Sequence, residues 1–253
     1  MIDTTLERSL DTALNTRKTH NPALPDYMTE VYDWAYVNPR WVEMLDRNIV
    51  VKTLLFGNDE RLIRAYLEEI SPGMHVWQVA HVYGDLVRRA AERCGPTGQF
   101  TLTDVTPIQL QHANTKLRNL RWARIHHADA GLYASSEACD LICSFFLLHE
   151  VPDDWKRRIV DNMLGQLPEE GEALFVDYHG PAWWQPVRYI LKVVNRFLEP
   201  FANALWKNEI SSFASHPERF EWTKRTIFGG VYQIVKVRRR RPTALVTDIG
   251  SGA

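Results

Sequence analysis

The strongest constraint on this chain is a regular alternation between residues 71 and 178. Short apolar runs are each followed by a turn and then by a segment with helical spacing. Residues 76–81 read as a buried strand and 85–94 as a helix. Gly95-Pro96-Thr97-Gly98 is a turn, Gln99–Asp104 a second strand, and Pro107 opens a helix running to about residue 119. Residues 123–128 and 140–146 are further strands, Pro152 opens a helix to residue 167, and 171–178 is a fifth strand. Such β-α-β repetition predicts a parallel, doubly wound sheet with ligands at the carboxyl ends of its strands. Phe220–Ile227 and residues 231–237, joined through Gly229-Gly230, add a closing hairpin.

The 253 residues accommodate one large α/β domain with helical additions. Ser71-Pro72-Gly73 marks a boundary, giving an N-terminal arm and helical cover over 1–70 and an α/β core over 71–182. An amphipathic helical insertion over 183–213 and a hairpin with a basic tail over 214–253 complete the expected organisation. A net charge of −1 and a pI near 6.8 argue against nucleic acid as a partner. Cys94, Cys139 and Cys143 form no CxxC pair, which predicts a reduced compartment and no structural zinc. The first twenty-five residues contain no apolar leader core, and nowhere is there an uncharged run of the roughly 18 residues that span a bilayer. A cytoplasmic location is expected.

Residues 76–85, VWQVAHVYGD, have the outline of the first strand and turn of class I S-adenosylmethionine (SAM) methyltransferases, and the terminal hairpin after five β-α units is that family's order. The resemblance implies a Rossmann-like fold whose turn reads acidic-x-Gly-x-Gly-x-Gly, because glycines admit the ligand and adopt positive φ. Here Gln78 stands at the acidic position, Ala80 and Val82 replace two glycines, and Gly84 alone remains. Ala80, His81, Gly84 and Asp85 of the turn are expected cofactor contacts. Asp104, ending the second strand, is placed for a ribose hydroxyl, or is a simple N-cap before Thr106-Pro107. Asp129-Ala130 is placed for the adenine, or is a plain loop.

His149 and Glu150 end the fourth strand, and Asp177-Tyr178-His179 ends the fifth. His149, Glu150, Asp177 and His179 offer oxygen and imidazole ligands suited to Mn²⁺ or Mg²⁺, or are separate hydrogen-bonding groups. In residues 183–207, Val187, Leu191, Val194, Leu198, Phe201 and Leu205 form one apolar stripe, with Arg188, Lys192 and Arg196 opposite. A basic helix flanked by tryptophans predicts either an anionic membrane surface or packing on the core. The run 238–241 is a second possible lipid contact or a solvated tail end.

Taken together, Tyr32-Asp33-Trp34-Ala35-Tyr36, the 79–85 turn, Phe145-Phe146-Leu147-Leu148-His149-Glu150, Val176-Asp177-Tyr178-His179 and Phe228-Gly229-Gly230-Val231-Tyr232-Gln233 resemble the RquA family of rhodoquinone biosynthesis proteins. The resemblance implies conversion of ubiquinone to rhodoquinone, a ring methoxy group being replaced by an amino group. It implies SAM as the amino donor, with Mn²⁺ assisting, at a peripheral site on the inner membrane where ubiquinone resides. Tyr32, Trp34 and Tyr36 of the aromatic cover are the expected substrate contacts. An attacking amine must be neutral, which makes His81, Tyr83 and His149 the candidate bases. Methyl transfer to a lipophilic quinone and an inactive membrane-associated scaffold are the other two readings of the same residues.

Overall fold

The computed structural model describes residues 22–26, 28, 39–197 and 199–241, with no side-chain description for 39–41 and 197. The aromatic contacts expected at Tyr32, Trp34 and Tyr36 lie outside the described residues.

Among the described residues, three short helices, α1 (Pro39–Leu45), α2 (Asn48–Leu54) and α3 (Asp59–Leu67), precede the sheet. Then follow β1 (His75–Val79), α4 (Leu86–Cys94), β2 (Gln99–Asp104), α5 (Pro107–Leu117), β3 (Ala123–His127), β4 (Leu141–Phe145), α6 (Asp153–Gly165) and β5 (Glu172–Tyr178). Helices α7 (Val187–Phe197) and α8 (Asn203–Lys207) lead to β6 (Phe220–Ile227) and β7 (Tyr232–Arg239). The strands form one seven-stranded sheet in the order β3-β2-β1-β4-β5-β7-β6, parallel except where β7 runs antiparallel to both neighbours. That is the doubly wound sheet with a closing hairpin expected from the sequence.

The core divides by strand pleat, since successive side chains face opposite sides of a sheet. Leu174 and Val176 of β5 pack with Leu86, Val87, Ala90 and Ala91 of α4 on one face. Ala173 and Phe175 pack with Ile159, Val160, Met163 and Leu164 of α6 on the other. Each fully buried Leu or Val side chain contributes roughly 1.5–3 kcal/mol. Strand order reverses between β1 and β4, so the loops leaving these two strands diverge and open a crevice at their carboxyl ends.

The apolar stripe expected through 183–207 does not form one helix. Glu199-Pro200 separates α7 from α8, because proline cannot donate an amide hydrogen bond and restricts the residue before it. As a result Leu191 joins the first core face and Leu205 the second. The basic row is also divided. Arg188 donates Nη1 to the Pro181 carbonyl and lies 5.9 Å from the Trp206 ring, whereas Lys192 and Arg196 are exposed.

Gly84 is held to this fold by a neighbouring helix. It has φ +81°, and a Cβ there would stand 2.9 Å from Asn48 Oδ1 of α2. Its amide donates to Asp46 Oδ1 at 2.9 Å. Gly84→Ala is therefore expected to cost about 1–2 kcal/mol from left-handed backbone strain, with the contact adding to it. Urea unfolding of parent and variant checks this, and equal midpoints would contradict the packing role.

Candidate active site

Two cavities meet at the crevice between β1 and β4. The smaller, about 60 Å³, is lined by Ala80, His81, Asp104, Asp129, Ala130 and Trp155 among others. The larger, about 530 Å³, takes in Val82, Tyr83, Phe146, His149, Tyr178 and Glu199. Ala80, His81, Leu147 and Glu150 line both. Five of the seven expected cofactor residues thus surround one cavity. Gly84 and Asp85 line neither, and Asp85 instead pairs with Arg89 across one turn of α4 at 3.6 Å.

The turn after β1 keeps a glycine-like backbone at Ala80, where the glycine is gone. Ala80 has φ +66°, and Gln78 donates Nε2 to the carbonyls of Val79 and Ala80, both at 3.1 Å. The four described non-glycine residues with positive φ are Ala80, Phe146, Phe56 and Phe228. The first three line the larger cavity, and Phe228 stacks on Phe56 with ring centroids 6.2 Å apart. Strain of this kind persists only where surrounding contacts enforce it, and here it collects around one cavity.

Asp104 is buried at the tip of β2. Its Oδ2 accepts the His81 amide at 2.8 Å and its Oδ1 the Thr106 amide at 2.7 Å. Burial raises its carboxyl pKa, opposed by these two amides. The carboxylate therefore fixes the turn as well as facing the cavity. Asp129 accepts the Gly131 amide at 2.7 Å and pairs with Arg158 at 3.0 Å. The Arg158 guanidinium lies 4.4 Å from the Trp155 ring.

A polar network sits beneath the turn. Gln109 Oε1 lies 2.8 Å from His81 Nδ1, and Gln109 Nε2 donates to the Tyr83 hydroxyl at 2.8 Å. Since an amide oxygen only accepts, the network assigns the His81 proton to Nδ1. Lys116 Nζ lies 3.1 Å from His81 Nε2 and pairs with Asp46, which also takes the Gly84 amide. Burial and the Lys116 charge hold His81 well below its ordinary pKa, so it is a neutral imidazole at pH 7. Burial pushes the Tyr83 phenol far up and lowers Lys116, against the pull of Asp46. Gln109, Lys116 and Asp46 escaped the sequence reading. The spacing of Gln109, His112 and Lys116 along one face of α5 was the available signal.

The floor of the larger cavity is built on Asp177. Its Oδ2 accepts the amides of Leu148 at 2.8 Å and His149 at 3.3 Å. Its Oδ1 accepts the Tyr178 amide at 2.7 Å and lies 2.8 Å from His149 Nδ1. Glu150 Oε1 is 3.6 Å from His149 Nε2. Burial alone would lower the His149 pKa, but the charge and hydrogen bond of Asp177, with Glu199 and Glu150, raise it to about 9. The ring packs edge-on to Tyr178 at 4.8 Å and to Phe146 at 5.7 Å. His149 is thus an oriented imidazolium in an aromatic pocket.

Of the four side chains expected to bind Mn²⁺, His149 meets Asp177 through Nδ1 and Glu150 through Nε2, on opposite sides of its ring, and His179 lies apart, so the four do not surround one point. Asp177 is occupied by three amides and His149, while His179 Nδ1 lies 3.0 Å from the Gly230 carbonyl and its Nε2 faces the Lys224 ammonium at 3.5 Å. Among the described residues no group of three or more His, Cys, Asp or Glu side chains is placed to hold an ion. These donors do not fit a four-ligand metal site. Asp177 serves instead as the carboxylate that orients His149.

The His149 shift has a consequence for stability. Its folded pKa of about 9 exceeds the ordinary 6.5. The dyad's contribution is therefore full below pH 6.5 and is lost as pH rises through about 9. Unfolding free energies of the parent should fall across that window more steeply than those of His149→Gln. Parallel profiles would show that Asp177 does not hold a proton on His149.

Residues 76–171 match the family described as "Methyltransferase domain". Ubiquinone/menaquinone biosynthesis C-methyltransferase UbiE of Bordetella parapertussis is 34% identical over 71 residues, which is 28% of this chain and 24% of that protein. The match to the same enzyme of Bordetella bronchiseptica has the same extent, so about a quarter of the length of these relatives is spanned. Among solved structures, N-methyltransferase NodS from Bradyrhizobium japonicum, in complex with S-adenosyl-L-homocysteine, has a TM-score of 0.54 at 13% identity, covering 86% of this chain and all of that one. An O-methyltransferase family protein from Burkholderia thailandensis has a TM-score of 0.60 at 11% identity, covering 77% of this chain and 60% of that one. The fold is that of class I SAM methyltransferases.

Proposed function

We propose that the protein is a SAM-using enzyme acting on the ring of a lipophilic quinone, and that it converts ubiquinone to rhodoquinone by exchanging a ring methoxy group for an amino group. The observation that carries this reading is the joining of the two cavities across a turn whose glycines are replaced. A methyl donor needs its sulfonium methyl presented and its amine tied down. A turn with Ala80 and Val82 at two of its glycine positions, beside His81 and Tyr83, supports a rebuilt surface around the amino-acid half of the ligand.

The smaller cavity offers an adenosine two contacts, the buried carboxylate of Asp104 for a ribose hydroxyl and the aromatic ring of Trp155. Bound SAM would supply its α-amine as the nitrogen donor. The aromatic walls of the larger cavity suit a quinone ring. In our scheme His149 donates a hydrogen bond from Nε2 to a quinone carbonyl, withdrawing electron density from the methoxy-bearing carbon. Tyr83 keeps its proton and His149 already carries one, while both His81 nitrogens are engaged by Gln109 and Lys116. The base role therefore falls to Glu150, whose side chain reaches both cavities. It would receive the amine proton as the C–N bond forms, and would return it to the departing methoxy oxygen as the C–O bond breaks, so that methanol leaves. Release of the aminoquinone would then break the donor's Cα–N bond by elimination: a proton is lost from the adjacent Cβ, the nitrogen takes one up, and the remainder of SAM departs with a Cα–Cβ double bond.

A second reading, methyl transfer to a quinone, is favoured by the match to a quinone C-methyltransferase. Incubation with SAM and ubiquinone separates the two. Our reading expects an aminoquinone without a matching yield of S-adenosylhomocysteine. A methylated quinone with equal S-adenosylhomocysteine would replace it by the second reading. No conversion under any condition would leave a catalytically inactive scaffold.

A further inference from the structure

Of the large apolar side chains exposed among the described residues, only Leu132 lies outside two segments, 44–54 and 183–193. Both segments border the larger cavity. Leu54 of α2 and Ile190 of α7 line it and are themselves 52% and 54% exposed, so they form its rim. Beyond the rim, Ile49, Trp183, Tyr189 and Val193 stand out further, at 59–83% exposure. Lys192 Nζ lies 6.0 Å from the Tyr189 ring, and isolated apolar residues would be scattered rather than gathered at one opening.

We propose that this face docks on an anionic lipid bilayer, so that the larger cavity opens directly toward the acyl region. Three observations favour lipid as the occupant. Trp and Tyr beside Ile and Val is the composition of an interfacial surface, with amphipathic rings at headgroup level. Lys52 on α2 and Lys192 and Arg196 on α7 are exposed on the same two helices, and neither helix contains an Asp or Glu. A two-fold contact between copies of this chain would bring those like charges together, which disfavours a second copy. The cavity behind the rim is mainly apolar and large enough for a ring with the start of its tail, so a substrate could pass from bilayer to site without crossing water. This last point rests on the quinone reading above, whereas docking itself does not.

Full-length protein is sedimented with vesicles of phosphatidylcholine alone and of phosphatidylcholine with phosphatidylglycerol. The parent is expected to bind the anionic vesicles, and Trp183→Ser/Tyr189→Ser/Val193→Ser to bind at least tenfold more weakly with an unchanged unfolding midpoint. None of these three side chains lines either cavity. Lys52→Glu/Lys192→Glu, which spares the apolar rings, should also detach from anionic vesicles. Parent protein that ignores vesicles, or a triple variant that binds like the parent, overturns the proposal. A parent dimer that the triple variant converts to monomer overturns it in favour of a second copy. Vesicle partition is read without turnover, so docking can fail while the quinone reading stands, and the reverse.

Discussion

His149→Ala is expected to reduce turnover on a quinone by about 10²–10⁴-fold, the usual contribution of a positioned proton donor, while SAM affinity changes little. The separation of effects follows from geography. His149 lines only the larger cavity, whereas Asp104 and Asp129 line the smaller. Removing the imidazole also leaves Asp177 buried without its cationic partner, so the alanine variant will be less stable. His149→Gln addresses this, because its amide can still donate to Asp177 while lacking an ionisable proton. Asp177→Asn provides a further check, since it preserves shape but weakens the hold on the imidazolium and should lower the pH at which activity changes. SAM titration by calorimetry, alongside turnover, reads both quantities. A His149→Gln enzyme with parental turnover would remove this side chain from the chemistry.

Asp104→Ala should weaken SAM by roughly tenfold or more. Loss of hydrogen bonds to a buried ribose costs about 1–3 kcal/mol. The structure adds a second contribution. The variant also deprives the His81 and Thr106 amides of their acceptor, so the turn after β1 loses the group that shapes it. Asp104→Asn should be milder, because its carbonyl can still accept one of the two amides. Equal affinity for Asp104→Ala and parent would take this carboxylate out of the ligand site.

Much of the framework could be read from the chain because the signals are local. Pro107 opens α5 and β6 spans Phe220–Ile227 as the pattern required, since proline geometry and strand alternation act over a few residues. The site was less legible. Asp177 and His179 lie together at the end of the fifth strand, which made them look like joint ligands, but His179, one residue past the strand, turns to the Gly230 carbonyl. Gly84 looked like a cofactor glycine because its neighbour α2 is distant in sequence. In the same way Asp46 reaches the turn from the loop after α1 across a separation that no spacing rule connects. The break at Glu199-Pro200 was visible, but an unbroken apolar periodicity ran through it and concealed that its two halves serve opposite faces of the sheet.

The central claim is that the amine of SAM, not its methyl group, reaches the quinone. Purified protein supplied with ubiquinone and SAM carrying ¹⁵N at the α-amine and ¹³C at the methyl group tests it directly by mass spectrometry of the quinone product. The account predicts ¹⁵N in the ring substituent and no ¹³C. A product carrying ¹³C without ¹⁵N would contradict it.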